Sequence, residues 1–205
     1  MYVTAEVRWF FDGRVPTQVH DWFVTTTGAT EVPEIRTDRY LLLPGTTSIG
    51  LKLRQHRFEI KIRSFNYGPV KFSEGTTGRV ERWGKWSFNL DQNGDAIQEV
   101  INKDLGWLDV RKERLLGRYV IERETVVSPL KIGEQTSSGC QVELTELELK
   151  GQKWWTFAFE SFGERFILLH NLVHSSRRVL KTVNPFLLID DQSYGYPQWI
   201  QDAFG

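Results

Sequence analysis

The sequence predicts an α+β protein that is mainly β, an antiparallel barrel of eight or nine strands, closed or nearly closed, with helices packed outside. Segments in which apolar and polar residues alternate recur along the chain, and this period of two is typical of half-buried strands. Only a few segments between them change to the helical period of about 3.6 residues. The chain of 205 residues is long enough for a single large β-rich domain.

Composition excludes several classes of partner and site. Lys plus Arg and Asp plus Glu both number 26, so no net field attracts the chain to nucleic acid or to an anionic membrane. Cys140 is the only cysteine, which excludes an internal disulfide and a thiolate metal cluster. The N-terminal sequence has no basic region followed by an apolar one, and no apolar run reaches the roughly eighteen residues of a membrane span. We therefore expect a cytoplasmic protein with neither nucleic acid nor membrane as a partner.

The first strand is predicted over residues 2–10, where Thr4, Glu6 and Arg8 share one face. The opposite face of that strand is apolar and carries Val3, Ala5, Val7 and Trp9. A helix is predicted to follow at Pro16, because proline suits the first helical position. The apolar stripe of this helix consists of Val19, Trp22 and Phe23, so we expect it to pack on the sheet.

A hairpin within residues 39–63 concentrates positive charge on one face. Two alternating runs, Leu51–Arg54 and Phe58–Arg63, are separated by only a few residues, which is typical of antiparallel strands. The cations on its polar face are Lys52, Arg54, Lys61 and Arg63, with Glu59 among them. This face could contact water, as one side of an antiparallel sheet commonly does. Alternatively, the sheet could close so that the charges line a lumen, where they would need anionic partners and would form a polyphosphate site.

The remaining segments follow the same patterns. They are predicted in chain order as a turn-rich stretch (65–79), a strand (79–88), a turn (91–95), a short helix (96–101), one long or two paired strands with a break at Gly117 (107–124), an irregular stretch (125–139), a hairpin (140–149 and 153–162), an amphipathic helix (164–180), and an aromatic tail (186–201). We expect this tail to dock on the rest of the protein because its aromatic side chains favour burial.

Several motifs carry no chemistry that the sequence supports. Residues 45–52 nearly spell a phosphate-binding loop, but Leu51 stands where lysine must follow the second glycine. His170 and His174 are four residues apart and could grip one metal ion. The glutamate of a zinc hydrolase is missing after His170, so an exposed helical pair is the better interpretation. The other histidines have no spacing that indicates a catalytic triad.

Carboxylates on separate strands are better candidates. They are Glu6 on the first strand and Glu143, Glu146, Glu148 and Glu160 on the late hairpin. If they converge inside a barrel, they could hold a hard divalent ion that binds phosphate oxygens opposite them. The alternative is ordinary surface charge on a solvated strand face.

These segments resemble the CYTH, or triphosphate tunnel, superfamily, which includes class IV adenylyl cyclases, thiamine triphosphatases and inorganic triphosphatases. The first strand of that family carries Glu-x-Glu-x-Lys, and Thr4, Glu6 and Arg8 occupy those positions here. Other segments similar to family motifs are Asp38–Pro44, Leu51–Arg54, Phe58–Lys61, Val110–Arg114, Glu143, Phe157–Gly163 and Ser193-Tyr194.

The resemblance implies a single CYTH-like barrel domain over residues 1–205 that binds, and in an enzyme hydrolyses, an organic or inorganic triphosphate in a basic tunnel. The residues implied to bind phosphate are Arg8, Lys52, Arg54, Lys61, Arg63, Lys112 and Arg114. Those implied to hold Mg²⁺ or Mn²⁺ are Glu6, Glu148 and Glu160. Two acids of the family's metal site are absent, because Thr4 and Ala158 stand in their places.

Two further classes of function stay open. A non-catalytic binding module for a phosphorylated or other anionic ligand would keep the basic lumen without the metal. A lipocalin-like barrel would bind an apolar or pigment ligand, which the eight Trp and thirteen Phe residues could support. In that case the lumen should be aromatic, whereas the alternation directs Phe58, Ile60 and Ile62 away from the cationic face.

Overall fold

The computed structural model describes residues 1–29, 31–90, 106–122, 126–130, 134–181 and 184–205. The strands of these parts are β1 (Tyr2–Asp12), β2 (Glu34–Leu41), β3 (Ile49–Arg54), β4 (Arg57–Ser73), β5 (Thr76–Asn89), β6 (Trp107–Glu122), β7 (Val126–Pro129), β8 (Gly139–Leu149) and β9 (Gln152–Phe162). The α-helices are α1 (Thr17–Thr27), α2 (Leu168–Val179) and α3 (Tyr196–Phe204), and a 3₁₀ turn spans Asp190–Gln192.

Eight of the strands form a closed antiparallel barrel. They follow the order β2-β3-β4-β5-β1-β9-β8-β6, and the ring closes because β6 also pairs with β2. The short strand β7 extends the sheet from β6 outside the ring. The predicted fold class is therefore confirmed: the protein is mainly β, with a closed antiparallel barrel, one extra strand and helices.

The main apolar core lies on the outside of the barrel wall, beneath α1 and α2. Alternation in β1 directs Ala5, Val7 and Trp9 outward, where Phe23 of α1 and Leu172 of α2 belong to the same buried cluster. All of these side chains are at most 1% exposed. Burial of large apolar side chains contributes roughly 1.5–3 kcal/mol each, so this outer layer stabilises the fold and leaves the lumen free for polar residues.

A second apolar cluster closes one end of the barrel. Helix α3 inserts Trp199 and Ile200 against Phe10 and Tyr40, whose strands end there. Phe10 stacks on Tyr194 and on Trp199, with ring centres 5.0 and 5.4 Å apart. The C-terminal tail thus docks as predicted and forms the floor of the lumen.

Two predicted irregular stretches contain strands. Residues 65–79, expected to be turn-rich, continue β4 and begin β5, and only Glu74-Gly75 forms the turn. Register shifts near Phe65, Gly68 and Ser73 accommodate the extra residues, so Gly68-Pro69 lies within a bulged strand. The stretch 125–139, expected to be irregular, contains β7.

Gly117 does not break β6, which runs unbroken from Trp107 to Glu122. A Cβ at Gly117 would lie 2.9 Å from side-chain atoms of both Thr27 and Val142. Glycine is therefore needed here because α1 ends against this strand, a contact that the sequence pattern does not reveal.

Other differences are smaller. Helix α2 begins at Leu168, four residues after the start of the helix predicted over 164–180, and Phe166, which precedes it, is 80% exposed. The predicted turn at 91–95 and the predicted helix at 96–101 lie outside the described residues. Among the helices of the described parts, none is long and apolar enough to cross a membrane.

Candidate functional site

The barrel encloses a cavity of about 320 Å³. Of the described residues that line it, nine are basic: Arg8, Arg36, Lys52, Arg54, Lys61, Lys85, Lys112, Arg114 and Arg118. Four are acidic: Glu6, Glu59, Glu143 and Glu160. Helix α3 contributes the floor through Tyr196, Pro197 and Ile200. Tyr2, which also lines the cavity, is 48% exposed and marks the mouth.

Most of the residues predicted for the site meet in this cavity. They are Arg8, Lys52, Arg54, Lys61, Lys112, Arg114, Glu6 and Glu160, contributed by β1, β3, β4, β6 and β9. Their convergence follows from the period of two, because alternate residues of every strand in a closed barrel point inward.

Two predicted residues lie elsewhere. Arg63 bonds to Glu81 on the neighbouring strand and does not line the cavity. Glu148 has a 40% exposed side chain on the outside of the barrel, with an oxygen 3.5 Å from Nζ of Lys153. Glu143 and Glu148 are five residues apart on one strand, so alternation itself places them on opposite faces.

Three cations that line the lumen, Arg36, Lys85 and Arg118, were not predicted from the sequence. Nor was the buried carboxylate of Asp38, which pairs with lumen cations. Strand β2 reads Glu34, Arg36, Asp38, Tyr40 at every second position, and this alternation could have identified its inner face. Tyr196 carried no comparable signal, because its place in the lumen depends on the docking of α3.

Glu143 is clamped between two guanidinium groups. Arg8 bonds to one of its oxygens, and Nη1 of Arg114 lies 2.8 Å from the other. Burial opposes ionisation, but these two arginines hold the pKa of Glu143 well below its usual range. This carboxylate is therefore a fixed counter-ion for Arg8 and Arg114.

Glu59 is shared in the same way by two lysines. Nζ of Lys52 and Nζ of Lys85 lie 2.8 and 2.9 Å from its two carboxylate oxygens. Although burial opposes the shift, both lysines lower the pKa of Glu59 to about 2. Burial outweighs these contacts for Lys52 itself and lowers its pKa to about 8.

Asp38 is fully buried, and its carboxylate has more cationic neighbours than one negative charge can neutralise. Four nitrogens lie at ion-pair distance from its carboxylate: those of Arg36 (3.3 Å), Lys112 (3.5 Å), Lys52 (3.7 Å) and Arg54 (3.9 Å). Its Oδ1 accepts no hydrogen bond within the described parts of the chain. Arg36 and Arg54 also pair with Glu34, and Lys52 also pairs with Glu59. Lys112 shares Asp38 with these three cations, so it is the least neutralised of the four and the most available to an anionic ligand.

Glu6 and Glu160 face each other on paired strands. They are register partners of β1 and β9, and both line the cavity. Glu6 accepts hydrogen bonds from Lys61 and from the Thr4 hydroxyl, and despite burial Lys61 keeps the pKa of Glu6 low. Burial, followed by the negative charge of Glu6, raises the pKa of Glu160. This pair carries excess negative charge in an otherwise positive lumen.

The pair fits a divalent ion as a partial ligand set. Mg²⁺ in proteins is commonly held by one or two carboxylates, with waters and substrate phosphates completing the shell. The raised pKa of Glu160 indicates a carboxylate that lacks a sufficient cation in the present arrangement. Among the described residues, no group of three or more His, Cys, Asp or Glu side chains could hold a metal ion by itself. The rings of His170 and His174 lie on α2 with their centres 4.2 Å apart and their planes tilted by 35°, on the outer layer of the protein.

Replacing Glu160 by glutamine is expected to stabilise the protein at pH 8 in the absence of divalent ions. In the wild type, the pKa of Glu160 is raised on folding, so its contribution to stability is present at low pH and is lost as the pH rises through the folded pKa. The difference in the free energy of unfolding between the variant and the wild type should therefore shrink towards pH 4.5, near the ordinary pKa of glutamate of about 4.3. Urea unfolding of both proteins across this range measures the effect.

The same two proteins also test the metal fit. Adding Mg²⁺ at pH 8 should raise the midpoint of thermal unfolding of the wild type more than that of Glu160→Gln, because an ion bound by native carboxylates stabilises the folded state. Identical pH profiles and identical responses to Mg²⁺ would contradict the assignment.

Three solved structures are similar to this chain, and the first of them supports the fold. A "putative adenylate cyclase" from Bacillus halodurans superposes with a TM-score of 0.50 and 8% sequence identity, covering 100% of both chains. A Pyrococcus horikoshii protein matches with a TM-score of 0.42 and 16% identity over 86% of this chain and 89% of its own. A conserved hypothetical protein from Pyrococcus furiosus matches with a TM-score of 0.40 and 12% identity over 94% and 98%. No protein-family model and no curated protein sequence matches the chain.

Fold and site together define a class of protein: a closed antiparallel barrel with an apolar outer layer and a charged, predominantly basic lumen. The Bacillus halodurans structure has the same fold along its whole length.

Proposed function

We propose that this protein is a divergent CYTH-like tunnel, a single domain over residues 1–205, that binds a triphosphate compound in the barrel lumen. The observation that carries the proposal is the excess of basic over acidic side chains around one enclosed cavity. Guanidinium and ammonium groups are the side chains that bind phosphate oxygens by charge-assisted hydrogen bonds.

The distribution of charge favours a chain of phosphates over a single one. Cations from β1, β2, β3, β4, β5 and β6 surround the cavity, so several phosphoryl groups can be neutralised at once. An apolar or pigment ligand would instead have to desolvate these charges, at a cost of several kcal/mol for each ion left unpaired. This comparison disfavours the lipocalin-like alternative.

Hydrolysis of the bound triphosphate is the second candidate, and the Glu6–Glu160 pair favours it. These residues would hold Mg²⁺ or Mn²⁺, and such an ion, when bound, polarises a phosphoryl oxygen and stabilises charge that develops on it. The residues of the chain would orient the phosphates and neutralise charge in the transition state, chiefly through lumen cations such as Lys61, Arg8 and Arg114. A non-catalytic module would bind the same ligand without needing the ion.

Isothermal titration calorimetry with inorganic tripolyphosphate tests the binding function. We expect binding that weakens with added salt, because exposed charges at the mouth are screened more strongly at higher ionic strength. Tripolyphosphate should bind more tightly than pyrophosphate or orthophosphate, because it contacts more cations. A wild-type protein that binds none of these anions at low salt would overturn the proposal.

Phosphate release then separates the two forms of the proposal. An enzyme should release phosphate from tripolyphosphate, thiamine triphosphate or a nucleoside triphosphate only when Mg²⁺ or Mn²⁺ is added. Binding of equal affinity with and without these ions, together with no release, would select the non-catalytic module.

A further inference from the structure

Lys112 lies beside the floor of the lumen, in a pocket made by two tyrosines. It is 3% exposed, its Nζ lies 2.7 Å from the hydroxyl of Tyr40, and it lies 3.7 Å from the centre of the Tyr196 ring. The two tyrosine rings stack with centres 5.4 Å apart. The amine therefore has a phenol and an aromatic face as its close partners, and Asp38 stands further away, at 3.5 Å.

Burial favours loss of the Lys112 proton, whereas the surrounding charges act in both directions. The charged and titratable groups that face it are Arg8 on β1, Arg36, Asp38 and Tyr40 on β2, Lys52 on β3, Glu143 on β8 and Tyr196 on α3. The two carboxylates in this set are already engaged by other cations, Asp38 by Arg36 and Lys52, and Glu143 by Arg8 and Arg114. Of the lumen lysines that the structure describes, Lys112 is thus the most deeply buried, and its ion pair among the described residues is with the shared carboxylate of Asp38.

Burial lowers the pKa of Lys112 to about 7, and the nearby Arg8 and Arg36 act in the same direction while Asp38 opposes them. Burial raises the pKa of Tyr40 and of Tyr196, so both stay neutral phenols. Near neutral pH the amine therefore lies close to its titration midpoint. A negative charge placed within a few ångströms would favour its protonated form.

We propose that Lys112 is the innermost phosphoryl-binding residue of the lumen and that it takes up a proton when the end phosphoryl group of a linear polyphosphate chain reaches it. This inference rests on the proposed function and adds an orientation and a specificity to it. The proton comes from solvent, and the neutral amine becomes an ammonium that donates to a phosphate oxygen. No covalent bond forms or breaks.

The floor of the cavity explains why an end group is selected. The lumen is closed next to Lys112 by Tyr196, Pro197 and Ile200. A polyphosphate chain cannot continue past this floor, so the phosphoryl group that reaches Lys112 must be an end group. An end phosphoryl carries more negative charge than a bridging phosphoryl, and it therefore stabilises the ammonium form more. Any organic group of the ligand is directed towards the mouth, where Tyr2 is exposed.

Calorimetry of tripolyphosphate binding at pH 8 tests the inference in two buffers that differ in ionisation enthalpy. The wild type should take up close to one proton more than Lys112→Arg, whose guanidinium is already charged. The affinity of the wild type for tripolyphosphate should also fall between pH 7 and pH 9. For each pH unit, this fall should exceed that of the variant by a factor of up to about ten. At pH 6 the difference should vanish, because Lys112 is then protonated in the free protein.

Two controls isolate Lys112. Lys85→Arg changes another lysine of the lumen, one that bonds to Glu59 at 2.9 Å and is 31% exposed, and it should leave the proton count unchanged. Protons exchanged by the ligand are common to all of these proteins and cancel in the comparison. The charge at position 112 affects the pKa of Lys52, so the comparison is repeated with Lys52→Arg in every protein, which removes proton exchange at that residue. Cyclic trimetaphosphate has no end phosphoryl group, so it should bind more weakly and with little proton uptake.

The outcomes distinguish this inference from the function on which it rests. If the wild type binds no polyphosphate, the proposed function fails and the inference fails with it. If binding is tight but the proton count is the same in the wild type and in Lys112→Arg, only the inference is overturned. Should the variant fold poorly, NMR titration of ¹³Cε-labelled lysines in the wild type decides, with the Lys112 signal assigned by its loss in Lys112→Gln. The pH at the midpoint of the Lys112 titration should rise when tripolyphosphate is added, and an unchanged midpoint would refute the inference.

Discussion

Replacing Lys52 and Arg54 together by glutamine is expected to weaken tripolyphosphate binding about 100-fold at pH 7. Both side chains line the cavity from β3. A hydrogen bond to a charged group contributes about 1.5–3 kcal/mol, and each 1.4 kcal/mol is a factor of ten in affinity, so two lost contacts give at least this effect. Calorimetric titration at fixed ionic strength measures it.

The double variant should still fold. Asp38 keeps Arg36 and Lys112 as ion-pair partners, and Glu59 keeps Lys85. A matched control removes two positive charges from the outside of the barrel, through Arg39→Gln and Lys153→Gln. These side chains are 44% and 37% exposed, and each pairs with an exposed carboxylate. Because screened surface charges contribute little, the control should change affinity less than about twofold, and equal losses in both variants would place the anion outside the lumen.

Replacing Arg8 by methionine is expected to lower the free energy of unfolding by about 3 kcal/mol. The side chains of Arg8 and Glu143 are 8% and 7% exposed, and Nη1 of Arg8 also donates to the Thr156 hydroxyl at 2.9 Å. Removing one partner of a buried ion pair leaves the other charge uncompensated, which typically costs about 3–5 kcal/mol. We expect the lower part of this range because Arg114 still contacts Glu143.

Arg39→Met is the control for this loss. Its ion pair with Asp109, at 3.1 Å, lies on the surface, and pairs of that kind contribute about 0–1 kcal/mol. Urea unfolding of the two variants should therefore differ by about 2 kcal/mol or more. A comparable loss in both would mean that the Arg8–Glu143 contact inside the lumen is no stronger than a surface pair.

The strands and their faces were accessible from the sequence. Alternation in Leu51–Arg54 and Phe58–Arg63 placed Lys52, Arg54 and Lys61 on one face, and these side chains line the lumen. The same rule applied to β2 would have added Arg36 and Asp38, and applied to β8 it would have separated Glu148 from Glu143. Gly68 and Pro69 led to the prediction of turns where β4 continues. A bulge allows both residues within a strand, and it interrupts the alternation by which a strand is recognised.

The sequence by itself determined that the protein is a mainly antiparallel β protein and which residues of each strand share a face, because a period of two is a local property of the backbone. Only the tertiary structure decided which charges meet. The pairing of β2 with β6 joins Arg36 to Lys112 in register and brings Asp38 and Tyr40 to that lysine, although about seventy residues of chain separate them. The docking of α3 then places Tyr196 beside Lys112. Register between distant strands and the contacts of a terminal helix depend on how the barrel closes, and no local pattern encodes that closure.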